Sequence, residues 1–380
     1  MLQAGQPAVC APAYPCSIEH FIGTGKSCPP LSMSKENNQS RDWPSEGLEH
    51  LRACPICAGE RRHCVHQGLA DHLFNAPGRW DLYGCEQCGT AYLDPRPNRQ
   101  TIHLAYQDYG THESQLDDDP EQPGTDWRGS LKQAILRAYI RVRFSSKPFK
   151  PSDVFAGAMW LRPFLRPRFD AAMRHLPVSI KPGTVLDIGC GNGRFLAWAR
   201  VAGWQGCGTE FDIQAAAVAR AKGFDVHEGP LDELVNSGSK FDAVTISHVI
   251  EHVHEPSALL RAARQLLKPG GHFWIETPNI NARGHAYFGA GWAGLHPPHH
   301  LQVFAPKALE RLLQDAGFID IRVASSQSGW RAMASLSRLA DPAQMGNIRS
   351  QAIREDMAEF LGHSDAAQGE CITLTATVSA

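Results

Sequence analysis

Three groups of residues have types and spacings suited to chemistry. Cys54 and Cys57 form one C-x-x-C pair in "CPICAG", and Cys85 and Cys88 form a second in "YGCEQCG". Each pair is followed within two residues by a glycine, which suits a chain turning tightly around a metal. Four thiolates match tetrahedral zinc, and the interval between the pairs exceeds the common spacing of about 15 to 20 residues. His63, Cys64 and His66 lie in that interval as substitute ligands. The expectation is a closed, structural zinc site at Cys54, Cys57, Cys85 and Cys88; the plain alternative is four reduced cysteines on two turns.

The second group is "LDIGCGNGRF", with glycines at 189, 191 and 193 and Asp187 just before them. This G-x-G-x-G is not the G-x-G-x-x-G dinucleotide fingerprint. A carboxylate at that place repels a pyrophosphate but attracts an ammonium, directly or through water. Glu210 follows about 20 residues beyond the turn, where an acid can accept both hydroxyls of a ribose. The third group is "LHPPHH", Leu295 to His300. Neutral histidine is suited to taking a proton near pH 7, so His299 and His300 are candidate general bases. Metal ligation is set aside, because no carboxylate or cysteine cluster lies near them in sequence. The plain reading is a packed ring in a stiff loop.

These groups need elements to position them. The chain has 380 residues, enough for two units at roughly 150 residues each. Its formal charge is -2 and its hydrophobic fraction is 43%, which argues against global disorder or a polyanionic partner. No apolar run approaches the roughly 20 residues of a membrane-spanning helix, and the start does not resemble a signal peptide, so a cytoplasmic location is expected. Eleven cysteines in such a protein are read first as metal ligands, not disulfides. Residues 1–45 read as a disordered tail, with Met33 as an alternative start. Their "GTGKS" is no phosphate loop, since His20 stands at the first glycine position and no strand precedes it.

A zinc-binding module is expected over 46–106 and an acidic linker over 107–126, where "DDDPEQPG" lies. Over 127–180 a basic helical lid or platform follows. Arg128 to Arg174 holds eleven Lys or Arg against Asp153 and Asp170 alone, with apolar residues at helical spacing interrupted by Pro163 and Pro167. That segment is either a solvated face over a packed stripe, a platform for a phosphate-bearing substrate, or a helix lying on a membrane surface. From 181 onward strands and helices alternate: a buried strand over Thr184–Ile188, a glycine turn, and a helix from about Arg194.

Asp187, the glycine turn and Glu210 together resemble class I S-adenosylmethionine-dependent methyltransferases. "FDAVTISHVIEHVHEP" is similar to their fourth strand and following turn, "LLKPGGHFWIETPN" to the fifth strand, and "LERLLQDAGFIDIRV" to a helix and sixth strand. The resemblance covers roughly 181–324. It implies an α/β fold: a Rossmann-like seven-stranded sheet with helices on both faces, beside a small zinc-ribbon-like N-terminal module. "GECITLTATVSA" alternates as an antiparallel seventh strand would, which makes 327–366 a helical insertion within a methyltransferase domain spanning 181–380.

Carried over residue by residue, the resemblance implies that Asp187, Gly189, Gly191, Gly193 and Glu210 bind S-adenosylmethionine. Pro230 stands where many relatives have the acid of a Gly-Asp pair near the adenine, so the Leu231 backbone or Asp232 is the candidate there. His248, Glu251 and His252 fall where relatives line the methyl-transfer cavity: His248 is taken with the cofactor, His252 with His299 and His300 as catalytic candidates, and Glu251 as either functional or orienting the next helix. With the cysteine pairs, the chain resembles bacterial methyltransferases with an N-terminal zinc-binding domain, a group that includes sugar C-methyltransferases. Those carry a Tyr-His-Glu-His segment. If His300 matches its last histidine, Pro297 and Pro298 replace the Tyr and His, so C-methylation is disfavoured. The implied function is methyl transfer to a hydroxyl or amine of a small molecule such as a sugar or nucleotide-linked sugar. The alternatives are an RNA or DNA methyltransferase gripping phosphates through the basic segment, and a non-catalytic assembly module of the same fold.

Overall fold

A computed structural model describes residues 42–107, 120, 127–144, 150–156, 170–178, 182–324, 333–334, 336–338 and 366–380. The phosphate-loop-like "GTGKS", Met33, Pro163, Pro167 and nearly all of the acidic linker lie outside these residues, as does most of the expected 327–366 insertion. Within that insertion, 333–334 and 336–338 are helical.

The chain first builds strands β1 (Leu48–Glu49), β2 (Arg62–Leu69), β3 (Trp80–Cys85), β4 (Ala91–Leu93) and β5 (Arg96–Pro97). β2, β3 and β4 pair antiparallel, and β1 pairs with β5. Trp43 is buried edge-on to Trp80, with ring centroids 5.2 Å apart. Trp43, which lies within the tail expected from the sequence, therefore belongs to this core, because its large apolar ring fills it.

Helix α1 (Trp127–Phe144) follows, and then the alternating region: β6 (Thr184–Ile188), α2 (Arg194–Ala202), β7 (Gln205–Thr209), α3 (Ile213–Ala221), β8 (Asp225–His227), α4 (Leu231–Asn236), β9 (Phe241–Ser247), α5 (Pro256–Gln265) and β10 (Leu267–Pro278). After these come α6 (Arg283–Phe288), β11 (Gln302–Val303), α7 (Pro306–Asp315), β12 (Ile319–Val323) and β13 (Cys371–Thr377). Seven strands form one sheet in the order β12-β13-β10-β9-β6-β7-β8. β8, β7, β6, β9 and β10 are mutually parallel, whereas β13 runs antiparallel to β10 and β12. This is the Rossmann-like methyltransferase sheet, with the C-terminal segment as its antiparallel strand.

The patterning explains the layers. β6 and β9 are buried along almost their whole length, as strands covered on both faces must be, and Val185, Leu186, Ile188, Ala243, Val244 and Ile246 supply their apolar contacts. α5 and α7 each begin with proline in the first turn, where the missing N–H costs nothing. Each then buries apolar residues at one-, three- and four-residue steps, Leu259, Leu260 and Ala263 in α5 and Leu309, Leu312 and Leu313 in α7. These pack with Leu186, Ile246 and Phe273 on one face of the sheet; Tyr139 and Ile140 of α1 join Val185, Leu196 and Ala243 on the other. Each such side chain contributes roughly 1.5–3 kcal/mol by leaving water.

One strand departs from the expected division. β11, which directly follows "LHPPHH", pairs antiparallel with β4 and not with the large sheet, completing a four-stranded sheet β11-β4-β3-β2. Trp80, Leu82 and Leu93 thus share a core with Trp292, Leu295, Leu301 and Val303. A boundary at residue 106 is not respected by the packing, because two hydrogen-bonded strands from distant parts of the chain cross it.

Candidate active site

The glycine turn leaves β6 at the carboxyl edge of the sheet, where open α/β sheets bind ligands. Gly189, Gly191 and Gly193 all adopt positive φ, and a Cβ on Gly191 would meet nothing within 4 Å, so the backbone there is open to a ligand. Glu210, buried at the end of β7, spans the turn. Its Oε2 accepts from Gly191 N at 2.7 Å, and its Oε1 accepts from Phe211 N at 2.8 Å and Asp212 N at 3.0 Å. Burial pushes its pKa up to about 7, against the pull of these backbone donors. Asp187 is fully buried. Its Oδ1 accepts from Thr245 Oγ1 at 2.9 Å and from the Arg174 guanidinium, which lies over the Phe195 ring at 4.0 Å. Its Oδ2 is buried with no donor among the described residues. An orphaned carboxylate oxygen costs about 1–3 kcal/mol, and an ammonium placed there would satisfy it. The Asp187, Glu210 and open-glycine arrangement therefore fits the methionine and ribose parts of S-adenosylmethionine. Leu231, the first residue of α4, is half-buried and packs against the core cluster that includes Leu186 and Ile246.

Arg174 was not foreseen as a partner of Asp187. Nor are its neighbours free to grip phosphate: Arg141 is paired with Asp153 at 3.0 Å and Arg143 with Asp170 at 3.0 Å, so both acids of the basic segment neutralise its arginines.

His248 has a left-handed backbone, with φ of 52°, and is buried between two carboxylates. Nδ1 lies 3.2 Å from Glu251 Oε1 and Nε2 lies 3.5 Å from Glu276 Oε1. Burial alone would lower its pKa, but Cys371, Glu251 and Glu276 raise it well above the usual histidine value. Reciprocally, burial would raise Glu251, yet the His248 ring beside it holds it at about 2. Both ring nitrogens of His248 thus face carboxylates, and its backbone N–H donates to Glu276 O at 2.9 Å. Glu251 does not cap α5, whose N-cap residue is Glu255.

The structure gathers His252, His299 and His300 within one buried nest, with His296 beside them. The His252 and His300 ring centroids are 4.8 Å apart. His252 Nδ1 lies 2.9 Å from the carbonyl oxygen of His299, and His300 Nδ1 lies 2.9 Å from that of Gly294. A carbonyl only accepts, so in each ring Nδ1 carries the hydrogen and Nε2 carries the basic lone pair. His300 Nε2 is 4.0 Å from Glu251 Oε1. Burial lowers the pKa of His252; it lowers His300 to about 3 and His299 well below the usual value, with neighbouring histidines adding to the effect.

Two residues from the N-terminal part of the chain enter this nest, and neither carried a signal in sequence. Tyr106 OH is 3.2 Å from His252 Nδ1. Asp71 lies 3.8 Å from His296 Nε2 and 3.9 Å from His299 Nδ1, supplying in space the carboxylate absent nearby in sequence. Metal ligation by that trio is still disfavoured. The His296 and His299 rings are stacked, 13° from parallel at 4.2 Å, so their in-plane lone pairs do not converge on one point. Asp71 instead accepts from the N–H groups of Leu73, Phe74 and Ala76, holding its own loop.

At the far end of the four-stranded sheet, the donor atoms of Cys54, Cys57, Cys85 and Cys88 all lie within 4.8 Å of one another. Cys54 and Cys88 Sγ are 3.7 Å apart and Cys57 and Cys85 Sγ 3.5 Å. Tetrahedral zinc with Zn–S near 2.3 Å needs sulfurs about 3.8 Å apart, so these thiols fit it. The hydrogen bond from Cys54 pushes the Cys88 thiol down to about 5. His63 and Cys64 lie on β2 and are exposed, and His66 instead meets His285, so the substitute ligands are not needed.

A family model described as a methyltransferase domain matches residues 161–323. That stretch of the chain is similar to methyltransferase domains. S-adenosylmethionine is the cofactor of such domains, in agreement with the site just described. Among curated proteins, this domain is similar to the ubiquinone biosynthesis O-methyltransferase of Serratia proteamaculans (strain 568), 34% identical over 107 residues covering 26% of this chain and 44% of that protein. It is also similar to the one of Aromatoleum aromaticum (strain DSM 19018 / LMG 30748 / EbN1), 31% identical over 148 residues covering 35% of this chain and 62% of that protein. The chain thus spans less than two thirds of the length of these relatives. Among solved structures, an S-adenosylmethionine-dependent methyltransferase from Mesorhizobium loti aligns with TM-score 0.40 and 21% identity over 56% of this chain and 97% of that one. Among the described residues, no helix is long and apolar enough to cross a membrane.

Proposed function

We propose that this chain transfers the methyl group of S-adenosylmethionine to a hydroxyl oxygen of a small molecule, with His252 Nε2 accepting the hydroxyl proton. The observation that carries this reading is the fixed tautomer of His252: Nδ1–H is held on the His299 carbonyl, so the opposite nitrogen is basic. The cofactor supplies an electrophilic methyl group on a sulfonium. Asp187 Oδ2 and Glu210 hold its ammonium and ribose, and the open backbone at Gly191 lets it approach.

A hydroxyl attacks poorly unless its proton leaves, whereas a neutral amine needs no base at that moment; a buried base therefore favours oxygen as the acceptor. The three candidate histidines separate by basicity. A base works best with a pKa near the working pH, and His300, at about 3, and His299, held well below the usual value, are too weak. Burial lowers His252 as well, but Glu251 and the His299 carbonyl both pull its pKa back up, and ionised Glu251 beside it stabilises the imidazolium that forms. His300 and His299 serve this role by packing and by the His299 carbonyl. The curated relatives, named as O-methyltransferases, support oxygen as the attacked atom. A sugar or nucleotide-linked sugar hydroxyl and a phenolic hydroxyl are the acceptor classes to compare. Cys54, Cys57, Cys85 and Cys88 hold a structural zinc that stabilises the small sheet.

The test is transfer of labelled methyl from S-adenosylmethionine to panels of sugars, nucleotide sugars, catechols and amines. Oxygen methylation that His252→Gln abolishes is expected. Methylation confined to amines, or turnover indifferent to His252, would sink the reading.

A further inference from the structure

We infer that Gln302 is a positioning residue that fixes His252 in place and ties it to the thiolate-bearing sheet. The assignment starts from β11. Gln302 lies in this two-residue strand opposite Tyr92 of β4, and Leu93 N donates to Leu301 O at 3.0 Å. Its side chain is fully buried, and the two hydrogens of its amide nitrogen are shared among three backbone carbonyls of the turn bearing His252: Val253 at 2.8 Å, Ile250 at 3.0 Å and, more weakly, Glu251 at 3.3 Å. The amide orientation is not arbitrary, because turning it over would aim its oxygen at the same three carbonyls. The neighbouring residues grip the same turn: Leu301 N donates to Glu251 O at 2.9 Å, and the His299 carbonyl takes the His252 Nδ1 hydrogen.

Residues 299–302 therefore hold 250–253 from the backbone and from the ring at once. The turn is a single 3-10 turn, Ile250–His252, too short to hold a side chain by its own hydrogen bonds. Its carbonyls, buried with it, need donors from outside, and one primary amide supplies them. The other end of the link is equally direct. Cys88 is separated from β4 only by Gly89 and Thr90; Cys85 N donates to Thr90 O at 3.0 Å, and Thr90 Oγ1 accepts from Ala305 N at 3.4 Å. The register of β4 against β11 is thus set beside the cysteines and read out by Gln302 at His252. The same amide leaves its Oε1 buried without a donor among the described residues, a cost the fold tolerates to keep the nitrogen on the turn.

Gln302→Met keeps the volume and removes the donors; Gln302→Glu keeps the shape and sets an acceptor against three acceptors. In full-length protein with 15N-labelled imidazoles, long-range proton–nitrogen correlation spectra report the tautomer and titration of each histidine, and His252→Gln assigns the His252 signal. In the wild-type protein, His252 is expected as the Nδ1–H form with a depressed pKa. In both Gln302 variants the single tautomer is lost and the pKa rises toward the ordinary value, while S-adenosylhomocysteine binding by calorimetry stays within about twofold. An unchanged His252 signal in the variants overturns the inference. So does loss of S-adenosylhomocysteine binding in both, which would make Gln302 a general core residue. The inference rests on His252 as base for its importance but not for its test: turnover unaffected by His252→Gln defeats the base and leaves the positioning result standing.

Discussion

The pH dependence of cofactor binding follows from Glu210. Its folded pKa of about 7 lies above the ordinary 4.5, because burial disfavours the carboxylate. Ribose hydroxyls donate, so they bind the ionised form. Below pH 7 the free protein must release a proton from Glu210 before or as the cofactor enters, and affinity rises with pH. At pH 6 about one molecule in eleven has Glu210 ionised, and at pH 8 about ten in eleven, so affinity should differ by about tenfold, or about 1.4 kcal/mol. Calorimetry with S-adenosylhomocysteine from pH 6 to 8, in buffers of different ionisation enthalpy, reads both the affinity and the protons released. Close to one proton should leave per ligand at pH 6 and almost none at pH 8. Glu210→Gln should bind weakly and without this slope, because its amide nitrogen would confront one of the three backbone donors now held by the carboxylate. A wild-type affinity that is flat from pH 6 to 8, or a Gln variant retaining the tenfold slope, would refute the reasoning. The apoprotein shows the reverse sign: between 4.5 and about 7 the folded state keeps a proton the unfolded chain has lost, so stability falls as pH rises through that window.

Replacing His252 by Gln should lower turnover by about 10²–10⁴-fold while leaving S-adenosylhomocysteine binding intact, and His299→Gln should cost far less, because His299 contributes its carbonyl; initial rates beside calorimetry decide. Elemental analysis should find one zinc per chain, and Cys88→Ser should lose it together with thermal stability measured by circular dichroism. In Gly208→Ala the new Cβ would stand 2.4 Å from Cys190 Sγ, so unfolding should cost about 1–3 kcal/mol less than in the parent by urea titration.

Much of the fold was legible because it is written in local pattern. The run Thr184–Ile188, the glycines at 189, 191 and 193, and the acid at 210 each follow from a backbone that must turn sharply at a strand end, and the structure has the strand over those same residues. The four cysteines were legible because thiolates at two-residue spacing have few other uses, and they do meet within thiolate-cluster distance. The histidine nest was legible only in part. His252 and His299 could be named, but nothing in "HPPHHLQVF" says that the His299 carbonyl takes the His252 hydrogen, because 47 residues separate them.

The sequence by itself determined the elements, the glycine turn and the cysteine pairs, and so the residues proposed to bind a sulfonium cofactor and a metal, since period and spacing are properties of neighbouring residues. Only the tertiary structure decided which nitrogen of His252 is basic, that Arg174 meets Asp187, that Tyr106 and Asp71 enter the nest, and that β11 joins the cysteine-bearing sheet. Those depend on contacts between residues far apart in the chain, whose partners are chosen by packing and hydrogen-bond satisfaction across the whole molecule.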